Sequence, residues 1–202
     1  MSHKIAIFDF DGTLIRGDSF ILYMLLIYVY CIFFKPFKAV CIPFKFILIL
    51  RQLMDQIRDS DVRRIKESLL VLFTSGMGLR HINRINNYFC KMLKPFIRKK
   101  IFNDFIRLKR EGYVTILLSA SPDIYLQWIK ESFGFDILIS TKVEIINNRA
   151  TGKIIGENCK GVEKLRRLKE ILSEDEISNA VSYADNESDR LLMQAVNKPI
   201  WV

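Results

Sequence analysis

Short apolar runs that end at polar turn residues recur along the chain, at residues 4–8, 113–118, 136–140, 180–184 and 199–202. Runs of this length are typical of buried β-strands. Helical periodicity fills segments between and beside them, at residues 95–111, 122–133, 161–172 and 188–196. Alternation of this kind predicts an α/β fold, with a doubly wound, Rossmann-like parallel sheet and helices on both of its faces.

Two segments depart from the alternation. Residues 142–155 carry Asn147-Asn148 between β-rich flanks, which predicts a hairpin. Residues 14–94 separate the first two strands and are too long for a simple crossover. They predict an inserted helical cap, with helices near 18–34, 39–54, 60–73 and 79–93. We therefore assign residues 1–15 and 95–202 to a catalytic core domain and residues 16–94 to the cap.

The predicted cap contains two strongly apolar runs. Residues 20–34 hold no charge, and residues 39–50 are apolar except where Pro43 and Lys45 interrupt them. Because a bilayer crossing needs about 20 apolar residues in a helix, neither run spans a membrane comfortably, and interfacial or re-entrant insertion is the better membrane hypothesis. The alternative is a soluble cap whose apolar helices pack on each other and on the core. Basic residues stand where they would meet anionic head groups, at Lys35, Lys38, Lys45, Arg51 and residues 98–100.

The net charge is +9, from 31 basic and 22 acidic residues. This excess favours an anionic partner: a phosphorylated metabolite, an acidic lipid or a nucleic acid. Nucleic-acid binding is not expected, because charge is its sole support and no base-reading element is recognisable. The four cysteines are scattered without a paired motif, which indicates reduced thiols in a cytosolic chain, and no cleavable signal peptide is expected. The oligomeric state is left open.

Two carboxylates follow the first predicted strand, in the run Asp9-Phe10-Asp11-Gly12-Thr13. They can share one site if the chain turns between them, and the glycine permits that turn. One carboxylate can then attack phosphorus while the other handles the proton of the leaving group. Thr13 is a candidate hydrogen-bond donor to phosphate. The alternative is an acidic turn that merely ends a strand.

Three further polar groups stand beside later predicted elements. Ser119 ends the second strand and is a candidate phosphate donor, or else a simple turn or helix cap. Lys160 precedes the predicted helix at 161–172 and would neutralise phosphate charge, unless it is one more surface lysine. Asp185 and Asp189 follow the fourth strand; they offer oxygen ligands suited to Mg²⁺, or cap the last helix.

In this order, the four motifs resemble the haloacid dehalogenase superfamily, with the Asp9–Thr13 run as the most specific piece. The resemblance implies a phosphatase in which Asp9 is the nucleophile and Asp11 is the general acid and base. Asp11 is also the residue that separates phosphatases from dehalogenases in the superfamily. Roles carried over on the same basis are phosphate binding by Thr13, Ser119 and Lys160, and Mg²⁺ coordination by Asp9, the main-chain carbonyl of Asp11, Asp185 and Asp189.

A helical cap directly after the first motif resembles the phosphoserine-phosphatase-like branch, subclass IB. The apolar runs, together with Asp18-Ser19-Phe20 and the run at 119–122, resemble the phosphatidylglycerophosphatase C family. This implies hydrolysis of a lipid phosphate, phosphatidylglycerol phosphate, at the cytoplasmic face of the inner membrane, by a peripheral or re-entrant protein. Asp18, Arg63 and Arg64 are candidate substrate contacts from the cap, or else a helix cap and an exposed helix face.

Two alternatives stay open. The first is a cytoplasmic phosphatase for a small soluble phosphomonoester, such as phosphoserine or a sugar phosphate, with an apolar cap. The second is a non-catalytic membrane-surface protein that has kept the fold. The clustered carboxylates argue against the second, because like charges held together without a cation are costly.

Overall fold

The computed structural model describes residues 4–37, 39–43 and 61–202. Within these residues the chain forms two compact units. The first comprises the described residues within 4–19, 90–141 and 158–202, and the second comprises the described residues within 20–89 and 142–157. The predicted division at residues 15 and 95 is close to these limits. The prediction differs at 142–157, which we assigned to the core domain and which lie in the second unit.

Six strands form one sheet, in the order β4-β3-β2-β1-β5-β6. They are β1 Ile5–Phe8, β2 Val114–Pro122, β3 Ile137–Ile146, β4 Arg149–Ile155, β5 Val181–Ala184 and β6 Lys198–Trp201. Every neighbouring pair is parallel except β3 with β4, which is antiparallel. The predicted α/β, Rossmann-like class is confirmed.

The helices lie between the strands, as the periodicity predicts. They are α1 Ser19–Phe34, α2 Asp61–Thr74, α3 Leu79–Leu93, α4 Lys99–Arg110, α5 Asp123–Phe133, α6 Val162–Lys169, α7 Glu174–Ser178 and α8 Arg190–Ala195, with 3-10 turns at Lys94–Phe96 and Glu187–Asp189. Residues 39–43 are also helical, and the rest of the predicted helix at 39–54 lies outside the described residues. The short α7 is not predicted from the sequence; it begins with a capping box between Ser173 and Glu176.

Strand β1 occupies the centre of the sheet because both of its faces are apolar. Ile5 and Ile7 join a core cluster that includes Leu168 and Leu192 from helices α6 and α8. On the other face, the ring of Phe8 stacks on Tyr183 with centroids 4.6 Å apart. A parallel strand buried on both faces reads as a continuous apolar run. The first polar residue after β1 is therefore delivered to the carboxyl edge of the sheet, where α/β proteins bind ligands.

The second unit contains β4 and the second half of β3, which form a hairpin whose turn residues Asn147 and Asn148 have φ angles of 49° and 58°. Two successive left-handed residues form the turn that suits a two-residue hairpin, so the predicted hairpin is confirmed. The hairpin packs on α2: Gly152 lies so close that an added Cβ would be 2.4 Å from the Cα of Val71. This close contact explains why residues 142–157 belong to the second unit.

Helix α1 is divided lengthwise between a packed side and an exposed side. On the packed side, the Tyr23 hydroxyl donates to Asn86 Oδ1 at 2.8 Å, and Tyr23, Ile27 and Cys31 are fully buried. The opposite side exposes a stripe, the α1 stripe, made of Ile21, Leu25, Val29 and Phe33. In the described part of the chain, no helix combines the length and apolar content that crossing a bilayer requires.

Candidate active site

Three adjacent parallel strands bring the predicted motifs to one edge of the sheet. Asp9 directly follows β1, and its backbone N–H donates to the carbonyl of Tyr183 in β5 at 3.0 Å. Asp185 directly follows β5, and Ser119 lies near the end of β2, on the other side of β1. Because carboxyl ends of parallel neighbours share an edge, the structure brings the first, second and fourth motifs together as the alternation predicts.

A buried ion-pair network holds Asp9. The Nζ of Lys164 donates to Asp9 Oδ1 at 2.9 Å and to Asp189 Oδ2 at 2.6 Å. Side-chain exposure is 3% for Lys164, 11% for Asp9 and 1% for Asp189. Burial raises the pKa of the Asp9 carboxyl to about 7; Lys164 opposes this rise and Asp189 adds to it. Burial also works against a charged Lys164, but its two carboxylate partners outweigh it and hold the Lys164 pKa above its usual value.

The lysine beside Asp9 is not the one predicted. Lys160 is exposed and lies before the start of α6, whereas Lys164 is inside the helix and buried. Gly161, at φ 59°, turns the chain into α6, so the inward face of that helix begins with the next buried positions, Lys164 and Leu168. The spacing of four between Lys164 and an apolar residue was the available sequence signal. To use that signal, one must know which residues of the helix face inward, and the sequence around Lys160 does not show this.

Both carboxylate oxygens of Asp11 are engaged. Oδ1 accepts the backbone N–H of Ser19 at 2.6 Å, and Oδ2 accepts the hydroxyl of Ser121 at 2.5 Å. Burial raises the pKa of Asp11, while the hydrogen bonds from Ser121 and Ser19 oppose the rise. The carboxyl group of Asp11 is therefore oriented by its neighbours, and its ligand atom toward a metal would be the main-chain carbonyl.

Ser121, two positions after the predicted phosphate donor Ser119, is a site residue that was not predicted from the sequence. Ser119 is buried, and its hydroxyl accepts the backbone N–H of Ser121 at 3.1 Å. That turn points the Ser121 hydroxyl at Asp11. The run Ser119-Ala120-Ser121 contained both hydroxyls, and alternation along a strand could not say which one reaches the aspartate, because β2 is irregular between Ser119 and Pro122.

Gly12 allows the loop after β1 to approach Asp185. Its φ angle is +73°, and an added Cβ would lie 1.9 Å from Asp185 Oδ2. The hydroxyl of Thr13 donates to Asp185 Oδ1 at 3.1 Å, and Thr13 is buried. The first and fourth motifs are thus in direct contact, through a residue predicted to bind phosphate and a residue predicted to bind metal.

The donor atoms at this edge fit a hard divalent cation. Asp189 Oδ1 is buried and has no hydrogen-bond partner among the described residues, and Asp9 and Asp185 add further carboxylate oxygens. All-oxygen ligation is what Mg²⁺ prefers. Within the described ranges, no three or more His, Cys, Asp or Glu side chains form a cluster that could hold a metal. A site in which Asp9, Asp185 and the main-chain carbonyl of Asp11 would bind the ion directly, and Asp189 would act through water, is compatible with both observations.

The predicted cap contacts lie in different places. Asp18 belongs to the first unit, where it is exposed and its charge helps to raise the pKa of Asp11. Arg63 belongs to the second unit and lies 3.9 Å from Glu157 in an ion pair. Arg64, on the same helix, is exposed. The structure thus gives Arg63 a structural partner within its own unit.

Comparison with protein families decides the affiliation. The model of haloacid dehalogenase-like hydrolases matches residues 6–194, which include all four motifs. The chain belongs to this family.

Among curated relatives of this haloacid dehalogenase-like hydrolase, Protein CicA of Caulobacter vibrioides is 25% identical over 193 residues, covering 94% of this chain and 82% of that protein. A phosphoserine phosphatase of Archaeoglobus fulgidus is 34% identical over 89 residues, covering 43% of this chain and 26% of that protein. The family members to which the chain is similar thus include phosphatases.

A solved structure extends the likeness to the whole fold. A protein of unknown function from Bordetella pertussis Tohama I superposes with a TM-score of 0.79 at 21% identity, covering 100% of this chain and 90% of that chain. At this identity the likeness concerns the fold alone. It supports the same overall fold for this hydrolase.

Proposed function

We propose that this hydrolase cleaves phosphomonoesters through a phosphoryl group carried transiently on Asp9. The observation that supports this most directly is the Asp9 carboxylate at the carboxyl end of β1, held at 2.9 Å by the buried ammonium of Lys164. A carboxylate fixed by a buried cation is oriented for attack, and the cation offsets the charge of an approaching phosphate. The charge role that the sequence analysis gave to Lys160 therefore passes to Lys164.

The reaction has two steps. An Asp9 oxygen attacks phosphorus, the bond from phosphorus to the ester oxygen breaks, and Asp11 gives its proton to the departing alkoxide. Asp11 then takes a proton from water as the water oxygen attacks phosphorus; the bond from phosphorus to the Asp9 oxygen breaks, inorganic phosphate leaves and the Asp9 carboxylate is restored. Ser119 and Thr13 are proposed to bind the phosphate oxygens. Asp9, Asp185 and the main-chain carbonyl of Asp11 would hold Mg²⁺, with Asp189 acting through water, and the bound ion would offset repulsion between the carboxylate and the phosphate dianion.

We further propose that the substrate is a lipid phosphomonoester, such as phosphatidylglycerol phosphate. The α1 stripe supports this: Leu25 is 56% exposed and Phe33 is 74% exposed. Beyond the stripe, Phe37 and Val40 are 90% and 77% exposed. Exposed apolar side chains this numerous mark interaction surfaces, and a helix with such a face binds at the lipid interface. The net charge of +9 favours an anionic leaflet, such as the cytoplasmic face of the inner membrane.

A soluble phosphomonoester is the second candidate. It is favoured by the phosphoserine phosphatase relatives, the Archaeoglobus fulgidus protein among them. In that case the α1 stripe would serve some purpose other than lipid contact.

The test is phosphate release from phosphatidylglycerol phosphate in mixed micelles and from a panel of soluble esters that includes phosphoserine. Each assay runs with Mg²⁺ and with EDTA, and with Asp9→Asn beside the wild type. Metal-dependent release from the lipid alone, lost in Asp9→Asn, is the expected result. Preference for a soluble ester would keep the Asp9 chemistry and overturn the lipid proposal. Turnover by Asp9→Asn at the wild-type rate would overturn the chemistry itself.

A further inference from the structure

A basic cavity of about 510 Å³ lies in the first unit, beside the start of helix α4. It is lined by Arg16, Pro95, Ile97, Arg98, Lys99, Lys100, Ile101 and Val202. Four of these eight residues are cationic, and none of the lining side chains is acidic. The lining comes from the loop after Thr13, from the segment before α4 together with the first turn of α4, and from Val202. None of the catalytic side chains described above lines the cavity.

The four cations of the basic cavity are unpaired within the described part of the chain. None of them forms an ion pair there, although exposed arginines elsewhere do, such as Arg107 near the other end of α4 and Arg166 in α6. The Nε of Arg98 is buried and has no hydrogen-bond partner among the described residues. A buried donor without an acceptor is unfavourable, because it has lost its hydrogen bonds to water. An anion in the cavity would remove that cost.

The backbone adds to the positive potential. Helix α4 begins at Lys99, its N-cap Arg98 supplies no side-chain cap, and its first turn contains no acidic residue. The first backbone N–H groups of a helix have no partner inside it, and they carry the positive end of the helix dipole. Cations at this end are unfavourable for the helix alone, whereas with an anion they form a binding site.

Two hydrogen bonds tie the basic cavity to the loop that carries Asp9 and Asp11. The backbone N–H of Arg16 donates to the Phe96 carbonyl at 2.8 Å, and that of Arg98 donates to the Leu14 carbonyl at 2.9 Å. Backbone hydrogen bonds therefore join the two segments of the lining, which are far apart in sequence.

From the cavity, its unpaired cations and the uncapped helix, we infer that the basic cavity binds a phosphate-bearing anion, separately from the phosphate handled at Asp9. Inorganic phosphate and a phospholipid head group present the same oxyanion, with several acceptors for guanidinium and backbone donors. This second anion site does not depend on the proposed reaction.

The test compares two charge-matched variants. The cavity variant carries Arg98→Gln, Lys99→Gln and Lys100→Gln. The control carries Lys91→Gln, Arg110→Gln and Lys198→Gln, which remove the same charge from exposed positions of the first unit. Binding of inorganic phosphate is measured by calorimetry with EDTA present, and vesicle binding by sedimentation with phosphatidylcholine vesicles, with and without phosphatidylglycerol. A further variant, Lys99→Gln with Lys100→Gln, keeps Arg98 in case its loss disturbs folding.

We expect phosphate binding at least about tenfold weaker in the cavity variant, which corresponds to about 1.4 kcal/mol, and unchanged in the control, since the cavity variant loses three of the four cations that would bind the oxyanion. A loss confined to phosphatidylglycerol vesicles would also support the inference and would identify the head group as the source. Equal binding by cavity variant and wild type, or equal weakening in the control, would overturn it. Phosphate release assayed in parallel keeps the two proposals apart: a chain without turnover can still show the binding difference.

Discussion

The loop after β1 and the α1 stripe differ in which side chains they bury: the loop buries polar side chains, and the stripe exposes apolar ones. In the loop, Asp9, Asp11 and Thr13 each have a hydrogen-bond partner brought from elsewhere in the sequence. On α1, Leu25 and Val29 are 56% and 47% exposed. The loop buries charged groups, which are more stable in water, and the helix exposes apolar side chains, which are more stable out of water.

The difference indicates which interactions each region needs in order to be stable in the folded protein. Buried carboxylates are tolerable only when a cation and hydrogen bonds replace water, so Lys164 is indispensable to the loop. Exposed apolar side chains make no such demand for folding, and removing one should cost little stability. Under the membrane proposal their contribution is to binding. The following variants test this contrast, in order of decreasing effect on stability.

The largest effect is expected from Lys164→Met. The substitution leaves Asp9 and Asp189 buried without their cation. We expect the free energy of unfolding to fall by about 3–5 kcal/mol, as for other broken buried pairs. Phosphate release should fall at least about 100-fold, the scale for losing one preorganised charge stabiliser. Urea denaturation and a phosphate assay measure the two quantities.

The matched control is Lys160→Met, four residues earlier and exposed. Its free energy of unfolding should stay within about 0.5 kcal/mol of the wild type. If Lys160→Met abolished phosphate release and Lys164→Met did not, the lysine predicted from the sequence would be the correct one after all.

The second variant, Gly152→Ala, tests packing in the second unit. Its Cβ would meet the backbone of Val71 at 2.4 Å, and backbone cannot move aside as a side chain can. We expect a loss of about 2–4 kcal/mol from overpacking together with the strained φ of +83°. Gly156→Ala, at φ +70° with nothing within 4 Å, isolates the strain alone. Equal losses in urea denaturation would show that the hairpin does not pack on α2.

Third, Gly12→Ala inserts a methyl group where Asp185 now lies. The carboxylate can rotate away, so the stability loss should be only about 1–2 kcal/mol, mostly from the left-handed backbone. The rate of phosphate release should fall by more than the small stability loss would explain, because Asp185 loses its hydrogen bond with Thr13. Gly17→Ala, at φ +85° and with open space around it, is the control. Equal kcat values for the two variants would contradict the role of the close approach.

The smallest stability effect is expected from Leu25→Gln in the α1 stripe. Leu25 is 56% exposed, so the free energy of unfolding should change by no more than about 0.5 kcal/mol. Sedimentation with anionic vesicles should nevertheless show weaker binding. Leu191→Gln, at a 47% exposed position of the first unit, is the control and should bind vesicles as the wild type does. Unchanged binding by Leu25→Gln would remove the stripe from the membrane proposal.

Much of the fold could be predicted because its signals are local. The apolar run before Asp9 and the turn at Asn147-Asn148 each depend on a few neighbouring residues, and both appear in the structure as expected. The identity of the lysine could not be predicted this way. Whether Lys160 or Lys164 reaches Asp9 depends on where α6 begins and which way its first turn faces, and these depend on contacts with the sheet.

The sequence by itself determined the class of fold and the chemistry available at one edge of the sheet, because apolar periodicity and the spacing of carboxylates are properties of short segments. Only the tertiary structure decided which polar groups meet. It selected Lys164 and Ser121, joined Thr13 to Asp185, and gave residues 142–157 to the second unit. Such contacts link positions far apart in the chain. A charged group or a hydrogen-bond donor can be buried only where a partner replaces water, so the packing of the whole chain decides which of these contacts form.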